Sequence, residues 1–294
     1  VVARCSRRAG KPTGEAIQLL DGARTPPYAN QGYVTLSLKN AKRLVWPALK
    51  RLNRAYGLGG VANDSEGVMR FPNLPEEPAI YLGGAKDRDE IEKLRGWEGG
   101  VKRWVIDETQ AIRATILQEL IEDAIEPSLV DYDGQLVAIG TPGPLRAGYF
   151  WEIDQGDQAS GWDHHSWTMR DNPWLERKSG KPTAVLIAEL LARRGWLESN
   201  PTFRREYCGE WVDDPGALML HYDAARNGCE WQPGPVDGWT YVIGGDIGHD
   251  DADALTVLGW AKNSRTVAKV AEFVRRHQGV TELGRVAREF YERW

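Results

Sequence analysis

The stretch "KRWVIDETQ", residues 102–110, sets two carboxylates side by side, Asp107 and Glu108, directly after an apolar run. Adjacent like charges repel, so the pair asks for a cation, a water to activate, or both. The plain alternative is a strand that ends at solvent, with two acids marking the turn. A second stretch bears on the choice. In "CSRRAGKPTGEAIQLL", residues 5–20, Gly10-Lys11 opens a helical pattern just after an apolar run. Such a turn suits a phosphate loop, in which backbone N–H groups cradle phosphates and the lysine reaches the β- and γ-oxygens. Two positions depart from the usual pattern. Cys5 stands where glycine is usual, and Pro12, which has no N–H, stands where a Ser or Thr hydroxyl would hold Mg2+. Thr13, one residue later, is the substitute. Lys11 and Asp107 lie 96 residues apart (107 − 11), each at the end of an expected strand. In a phosphate-loop ATPase the second such strand ends in an Asp that holds the Mg2+ shell and a Glu that activates the attacking water. That division of labour is the functional reading of the pair.

The elements that must position these groups are legible in the patterning. "VVARCS", "GYVTLSL", "PAIYLGG", "RWVID" and "LVAIGTP" are continuous apolar runs separated by helical segments. This predicts an α/β fold with a mostly parallel central sheet covered on both faces. "LKNAKRLVWPALKRLNRAYG" and "TQAIRATILQELIEDAIEPSLV" carry apolar residues at three- and four-residue spacing, as amphipathic helices do. A polar, Trp-bearing region spans Gly148 to Gly180, followed by the helical "TAVLIAELLARRG". "NPTFRREYCGEWVDDPG" reads as a capped helix running into a strand and then a turn. After the Pro/Gly-rich break Pro233–Gly238, "WTYVIGGDIGHDDADALTVLGWA" reads as a hairpin with an acidic loop, opening a new domain near residue 238.

Bulk properties narrow the class. The 294 residues are 41% hydrophobic and 27% charged, as in ordinary globular proteins, and the net charge of −5 argues against coating nucleic acid through bulk charge. Local basic pairs, Arg7/Arg8 and Arg204/Arg205, remain. No run approaches the ~18 apolar residues of a membrane span. Three scattered cysteines, Cys5, Cys208 and Cys229, suggest neither a disulfide framework nor a zinc site and point to a reducing compartment. The first residue is Val and a helical pattern runs to Trp294, so the chain reads as a piece of a longer one. His164–His165 reads as a loop pair, and Trp162, Trp167 and Trp174 read as packing residues, since basic residues are sparse around them. The acids of "EEP" and "DRDE" read as a solvated loop and a helix N-terminus.

Taken in order, these motifs resemble the large terminase subunits of tailed bacteriophages, which package double-stranded DNA into procapsids. "SRRAGK" is similar to their Walker A, with Arg7 at the position of its characteristic arginine. "IYLGGAKDRDEIEKLRGWEGGVKRWVIDETQ" resembles the approach to Walker B, and "VAIGTPGP" the coupling motif, whose Thr141 would sense the nucleotide. "TMRDNPWL" and "FRREYCGEWVDD" resemble segments leading out of the ATPase, and "YVIGGDIGHDDADALTVLG" the first hairpin of an RNase H-like nuclease. The resemblance implies an ASCE-type phosphate-loop ATPase domain over residues 1–212, lacking an N-terminal part, a linker to about 237, and the truncated beginning of an RNase H-like domain over 238–294. It implies ATP bound by Arg7, Arg8, Ala9, Gly10, Lys11, Pro12, Thr13 and Thr141, with Mg2+ on Asp107 and Thr13 and with Glu108, Lys11 and Arg7 catalytic. Arg95 of "LRG" is either an arginine finger reaching a neighbouring subunit or a surface residue. Asp246 is the first ligand and catalytic carboxylate of a Mg2+ or Mn2+ nuclease site, while Asp250, Asp251 and Asp253 read as hairpin-loop acids. The implied partners are double-stranded DNA, the small terminase subunit and the portal of the procapsid, in a ring-shaped homo-oligomer in the host cytoplasm. The alternatives are a different phosphate-loop motor such as a helicase, or a fragment that binds DNA or portal without turning over ATP.

Overall fold

The five apolar runs all become strands. They are Val2–Cys5 (β1), Asn30–Thr35 (β2), Ala79–Gly84 (β5), Val101–Asp107 (β6) and Gln135–Gly140 (β7), and they form a continuous parallel set. A computed structural model describes residues 1–95, 99–156, 161–214, 224–228, 234–248, 252–275 and 279–294. Within it the chain separates into two units, Val1–Met219 and Leu220–Trp294.

In the first unit the sheet is longer than the sequence pattern indicates. Val61–Asn63 (β3) and Val68–Arg70 (β4) add antiparallel strands at one edge. At the other edge His164–Trp167 (β8) runs parallel to β1, so His164 and His165 are strand residues rather than a loop pair. The eight strands lie in the order β3-β4-β5-β2-β6-β7-β1-β8. Both faces of the parallel strands are covered, which is why the runs are continuously apolar rather than alternating. Trp104 and Ile106 face one cluster with Leu117 and Ile121, whereas Val105 faces the other with Leu19 and Leu49. Trp174 departs from the packing expectation: it is 62% exposed.

Proline shapes the helices. "LKNAKRLVWPALKRLNRAYG" is two helices, Leu38–Leu44 and Trp46–Ala55, because Pro47 has no N–H with which to continue the first and is tolerated in the opening turn of the second. After β6, Ala114–Glu119 passes into a π-helical turn, Leu120–Ile125, before Glu126–Leu129, where Pro127 interrupts the hydrogen-bond ladder. Asn200 caps Pro201–Cys208 by accepting from the Phe203 N–H. The expected strand after this helix does not form: residues 209–214 pair with no strand. Their contacts go instead to the loop after β7 and to the helices Tyr149–Gln155 and Pro201–Cys208.

In the second unit, Trp239–Asp246 (β9), Asp253–Ala261 (β10) and Ala268–Arg275 (β11) form an antiparallel sheet in the order β11-β10-β9. The helix Val280–Arg293 sets Leu283 and Val286 against Leu255. The expected hairpin is thus β9–β10. Asp253 is not a loop acid: it is the first residue of β10, is buried, and accepts a hydrogen bond from the Gly248 N–H at 3.1 Å. Asp250, Asp251 and Cys229 lie outside the described residues. Among the described residues no helix is long and apolar enough to cross a membrane.

One backbone approach fixes the middle of the large sheet. Gly32 on β2 stands opposite Trp104 on β6, and a Cβ at Gly32 would come within 2.4 Å of the indole ring. Trp104 is fully buried, with its Nε1 donating to Ser128 Oγ at 2.8 Å, so the ring has nowhere to move. Gly32→Ala is therefore expected to destabilise the first unit by about 2 kcal/mol, lowering Tm by roughly 6 °C. A melting curve followed by circular dichroism checks this, and an unchanged Tm would refute the packing argument.

Candidate functional site

Parallel strands present all their carboxyl ends on one side, where the loops after β1, β6 and β7 meet. The strand order seats β7 between β1 and β6. Side chains from all three loops therefore converge across adjacent strands.

The loop after β1 turns into the helix Lys11–Arg24 through Gly10, whose φ of 89° is left-handed and accessible to glycine at little cost. The Gly10 carbonyl accepts from the N–H groups of Thr13 and Gly14, each at 3.1 Å, so the helix starts under it. Lys11 then points inward. It is 8% exposed, and its Nζ donates to Thr141 Oγ1 at 3.0 Å, joining the first residue of the helix to the loop after β7. Thr109 Oγ1, buried, lies 2.9 Å from the Ile106 carbonyl and 2.8 Å from that of Ile139, fastening the end of β6 to that of β7.

Asp107 closes β6 almost wholly buried. Its Oδ2 accepts from Tyr33 Oη at 2.5 Å and its Oδ1 from the Glu108 N–H at 2.7 Å. Burial pushes the Asp107 carboxyl above the usual carboxylate range, against the pull of the Tyr33 hydrogen bond. Tyr33 is pushed up as well, by burial and then by the Asp107 charge, so it stays a donor. Glu108 adopts φ 54°, ψ 40°, a left-handed conformation that costs a non-glycine residue about 1 kcal/mol. Its Oε2 accepts from Gln110 Nε2 at 2.5 Å. The turn thereby sends the two adjacent carboxylates in different directions, one into the core and one to the loop.

Several participants escaped the sequence reading. Glu15, four residues after Lys11, is 6% exposed, and neither of its carboxyl oxygens has a hydrogen-bond partner among the described residues. Burial raises its pKa, Asp107 adds to this, and Lys11 opposes it. Glu15 lines a cavity of about 460 Å3 along the helix with Lys11, Gln18, Arg103, His165 and Trp167. Glu206, on Pro201–Cys208, pairs with the Arg7 guanidinium and accepts the Arg7 N–H at its carbonyl (2.7 Å). That pairing raises the Arg7 pKa. Trp167 and Asn172 reach the loop itself: the indole Nε1 donates to the Ala9 carbonyl at 3.2 Å and Asn172 Nδ2 to the Arg8 carbonyl at 2.7 Å.

The other expected residues divide. Lys11, Asp107, Glu108 and Thr141 are brought together, with Arg7, Arg8, Ala9 and Gly10 forming the loop beside them. Arg8 has φ 63° and an exposed side chain. Pro12 occupies the first helical turn half-buried, and Thr13 is exposed. Arg95 pairs with Glu92 at 2.7 Å and Asp123 at 3.6 Å, bracing its helix against the segment after β6; none of these partners belongs to the site. Asp246 ends β9, exposed and opposite Ala254, in the other unit. Among the described residues no three His, Cys, Asp or Glu side chains gather as a metal cage.

Comparison of whole chains bears on the fold. The large terminase from a thermophilic bacteriophage matches with a TM-score of 0.55 at 17% identity, over 99% of this chain and 68% of that one. The HK97 bacteriophage large terminase matches with a TM-score of 0.52, also at 17% identity, over 99% of this chain and 63% of that one. This chain has the large terminase fold. The same thermophilic-phage terminase, in complex with ADP, matches with a TM-score of 0.52 at 17% identity, over 99% of this chain and 68% of that one. No protein-family model and no curated protein matches by sequence. In this terminase fold the strand between β1 and β6 leads directly into Thr141, which is where the sequence resemblance places the coupling motif.

Glu15 gives the site a pH signature. Its folded pKa lies above its unfolded value, so the folded state holds the proton more tightly, and stability falls as pH rises above the unfolded carboxyl range near 4.5. Glu15→Gln removes that loss. The variant is expected to melt higher than the parent at pH 8, with the gap closing towards pH 4. Equal melting temperatures at both pH values would show that Glu15 is not held as the structure has it.

Proposed function

We propose that the first unit binds ATP on the loop Ser6–Thr13 and hydrolyses it as a motor that drives double-stranded DNA into a viral procapsid. The observation that carries this reading is the convergence of Lys11, Thr141, Asp107 and Glu108 across three neighbouring strand ends. In it Lys11 meets the terminal phosphates, Glu108 takes the proton of the attacking water, and Thr141 couples the state of Lys11 to the loop after β7. ADP in the thermophilic-phage terminase, which shares the fold, supports nucleotide binding here.

Mg2+ fits the donor set. Glu15 and Asp107 both lie within the electrostatic reach of the one Lys11 ammonium, so the pocket holds more carboxyl groups than ammonium, an excess that a divalent cation would balance. Mg2+ keeps most of its waters and needs one or two protein carboxylates beside the substrate phosphates, and Asp107 with Thr13 would supply the protein side. When bound, the ion neutralises phosphate charge. Arg7 and Arg8 offer further positive charge at the loop, and Arg95 remains a candidate finger towards a neighbouring subunit once released from Glu92 and Asp123.

The second unit is, in this reading, RNase H-like, with Asp246 a Mg2+ or Mn2+ ligand of a nuclease site. An antiparallel three-stranded sheet followed by a helix supports this. Portal, small terminase subunit and a homo-oligomeric ring are the partners that follow, in the host cytoplasm. One observation favours the alternative of a fragment that binds without turnover: Pro12 removes both the hydroxyl and the N–H that the loop would normally offer.

A magnesium- and DNA-dependent ATPase assay tests the reading. Glu108→Gln is expected to keep nucleotide binding while hydrolysis falls by roughly 10²–10⁴-fold, since an amide cannot accept the water's proton. Near-normal turnover in that variant would sink the assignment. Pro12→Thr is expected to tighten nucleotide binding in Mg2+ and to make it more metal-dependent. If it changes neither, the missing hydroxyl is not what limits the loop.

A further inference from the structure

A loop that aims successive N–H groups at a phosphate must aim its carbonyls the other way, and each of those needs a partner. Here the carbonyls of Arg8 and Ala9 find theirs in one distant segment, which also engages Ser6. Ser6 N–H donates to the Trp167 carbonyl at 3.1 Å, and Met169 N–H donates to Ser6 Oγ at 2.8 Å. Trp167 Nε1 holds the Ala9 carbonyl, and Asn172 Nδ2 holds the Arg8 carbonyl. The segment from Trp167 to Asn172 therefore forms the outer wall of the loop. The loop needs such a wall, because Arg8 (φ 63°) and Gly10 (φ 89°) are both left-handed and Arg8 carries a Cβ that disfavours it.

We propose that Asn172 is a positioning residue for the phosphate loop, holding Arg8 in its left-handed conformation so that the loop's N–H groups stay aimed at the phosphates. The inference rests on the ATP-binding reading above. Both ends of the Asn172 amide are committed. Nδ2 donates to the Arg8 carbonyl at 2.7 Å, while Oδ1 accepts from Trp174 N–H at 3.2 Å and caps the helix Pro173–Ser179. These partners fix the amide's orientation, since a carbonyl takes only a donor and an N–H takes only an acceptor. Gly10 lies against the same amide: a Cβ built there would stand 3.5 Å from Asn172 Nδ2. One side chain thus does two separable things, capping a helix and restraining the loop.

Serine separates them. It caps a helix about as well as asparagine, is neutral, and is too short to reach the Arg8 carbonyl. The experiment measures Kd for a non-hydrolysable ATP analogue with Mg2+, ATPase KM and kcat, and Tm, for the parent chain, Asn172→Ser, Asn172→Ala and Lys11→Ala. Asn172→Ser is expected to raise Kd and KM about three- to tenfold, the effect of one lost hydrogen bond, with kcat and Tm near the parent's. Asn172→Ala is expected to raise Kd similarly and to lower Tm as well, through loss of the cap. If Lys11→Ala abolishes binding while Asn172→Ser binds like the parent, Asn172 is a helix cap alone and the inference is overturned. If the parent shows no binding that depends on Lys11, the ATP reading and this inference fall together.

Discussion

A buried ammonium and buried carboxyl groups are each costly alone and tolerable together, and the first unit is arranged around that constraint. Lys11 lies within the influence of Glu15 and Asp107 and donates to Thr141. To set a lysine there, the chain needs a helix that begins directly at the end of a central strand. It also needs a neighbouring strand that ends in a hydroxyl, and a third that ends in an acid whose own charge is steadied by Tyr33 and a backbone N–H. The seating of β7 between β1 and β6 meets these demands together. Covering both faces of the sheet is what keeps the surroundings dry enough for the charges to matter.

Around that centre two outlying segments act as braces. Residues 164–172 run along the open side of β1 and take up the loop's polar backbone groups. Residues 201–214 join the loop to the other side of the site. Glu206 engages Arg7, Arg146 N–H donates to Asp213 Oδ1 at 3.3 Å, and the Asp214 N–H donates to the Pro144 carbonyl at 3.1 Å. Buried within the same braces, Asp154 accepts from Trp211 Nε1 at 2.5 Å and pairs with Arg4 of β1 at 3.3 Å. A change at the phosphate loop therefore has a hydrogen-bonded route to the loop after β7 and to the end of the first unit. The irregular 209–214 stretch owes its form to these partners rather than to a strand ladder.

The second unit follows simpler rules. Its hairpin is specified by two apolar runs and an acidic turn, and its helix packs a narrow apolar stripe on β10. Asp253, buried at the start of β10, accepts from the Gly248 N–H, whereas Asp246 stands exposed at the end of β9.

The sequence by itself determined the five parallel strands, the turn at Gly10-Lys11, the acid pair at Asp107-Glu108, and the place of Thr141 just past a strand end. Each is encoded within ten or so consecutive residues, by apolar runs and by residue types that a local conformation demands. Tertiary structure decided the rest. Glu15, four residues after Lys11 on the same helix, carries no local sign of burial; only the covering sheet makes it a buried carboxyl group. The strands β3, β4 and β8 are too short to have a pattern of their own and exist because a sheet edge pairs them. Arg95 looks free in sequence and is engaged by Asp123 because a helix 28 residues on packs beside it (123 − 95). Asn172 and Glu206 reach the phosphate loop across 164 and 199 residues. Such contacts follow from the order in which strands lie side by side, which is set by the packing of the whole sheet and leaves no trace in a local window.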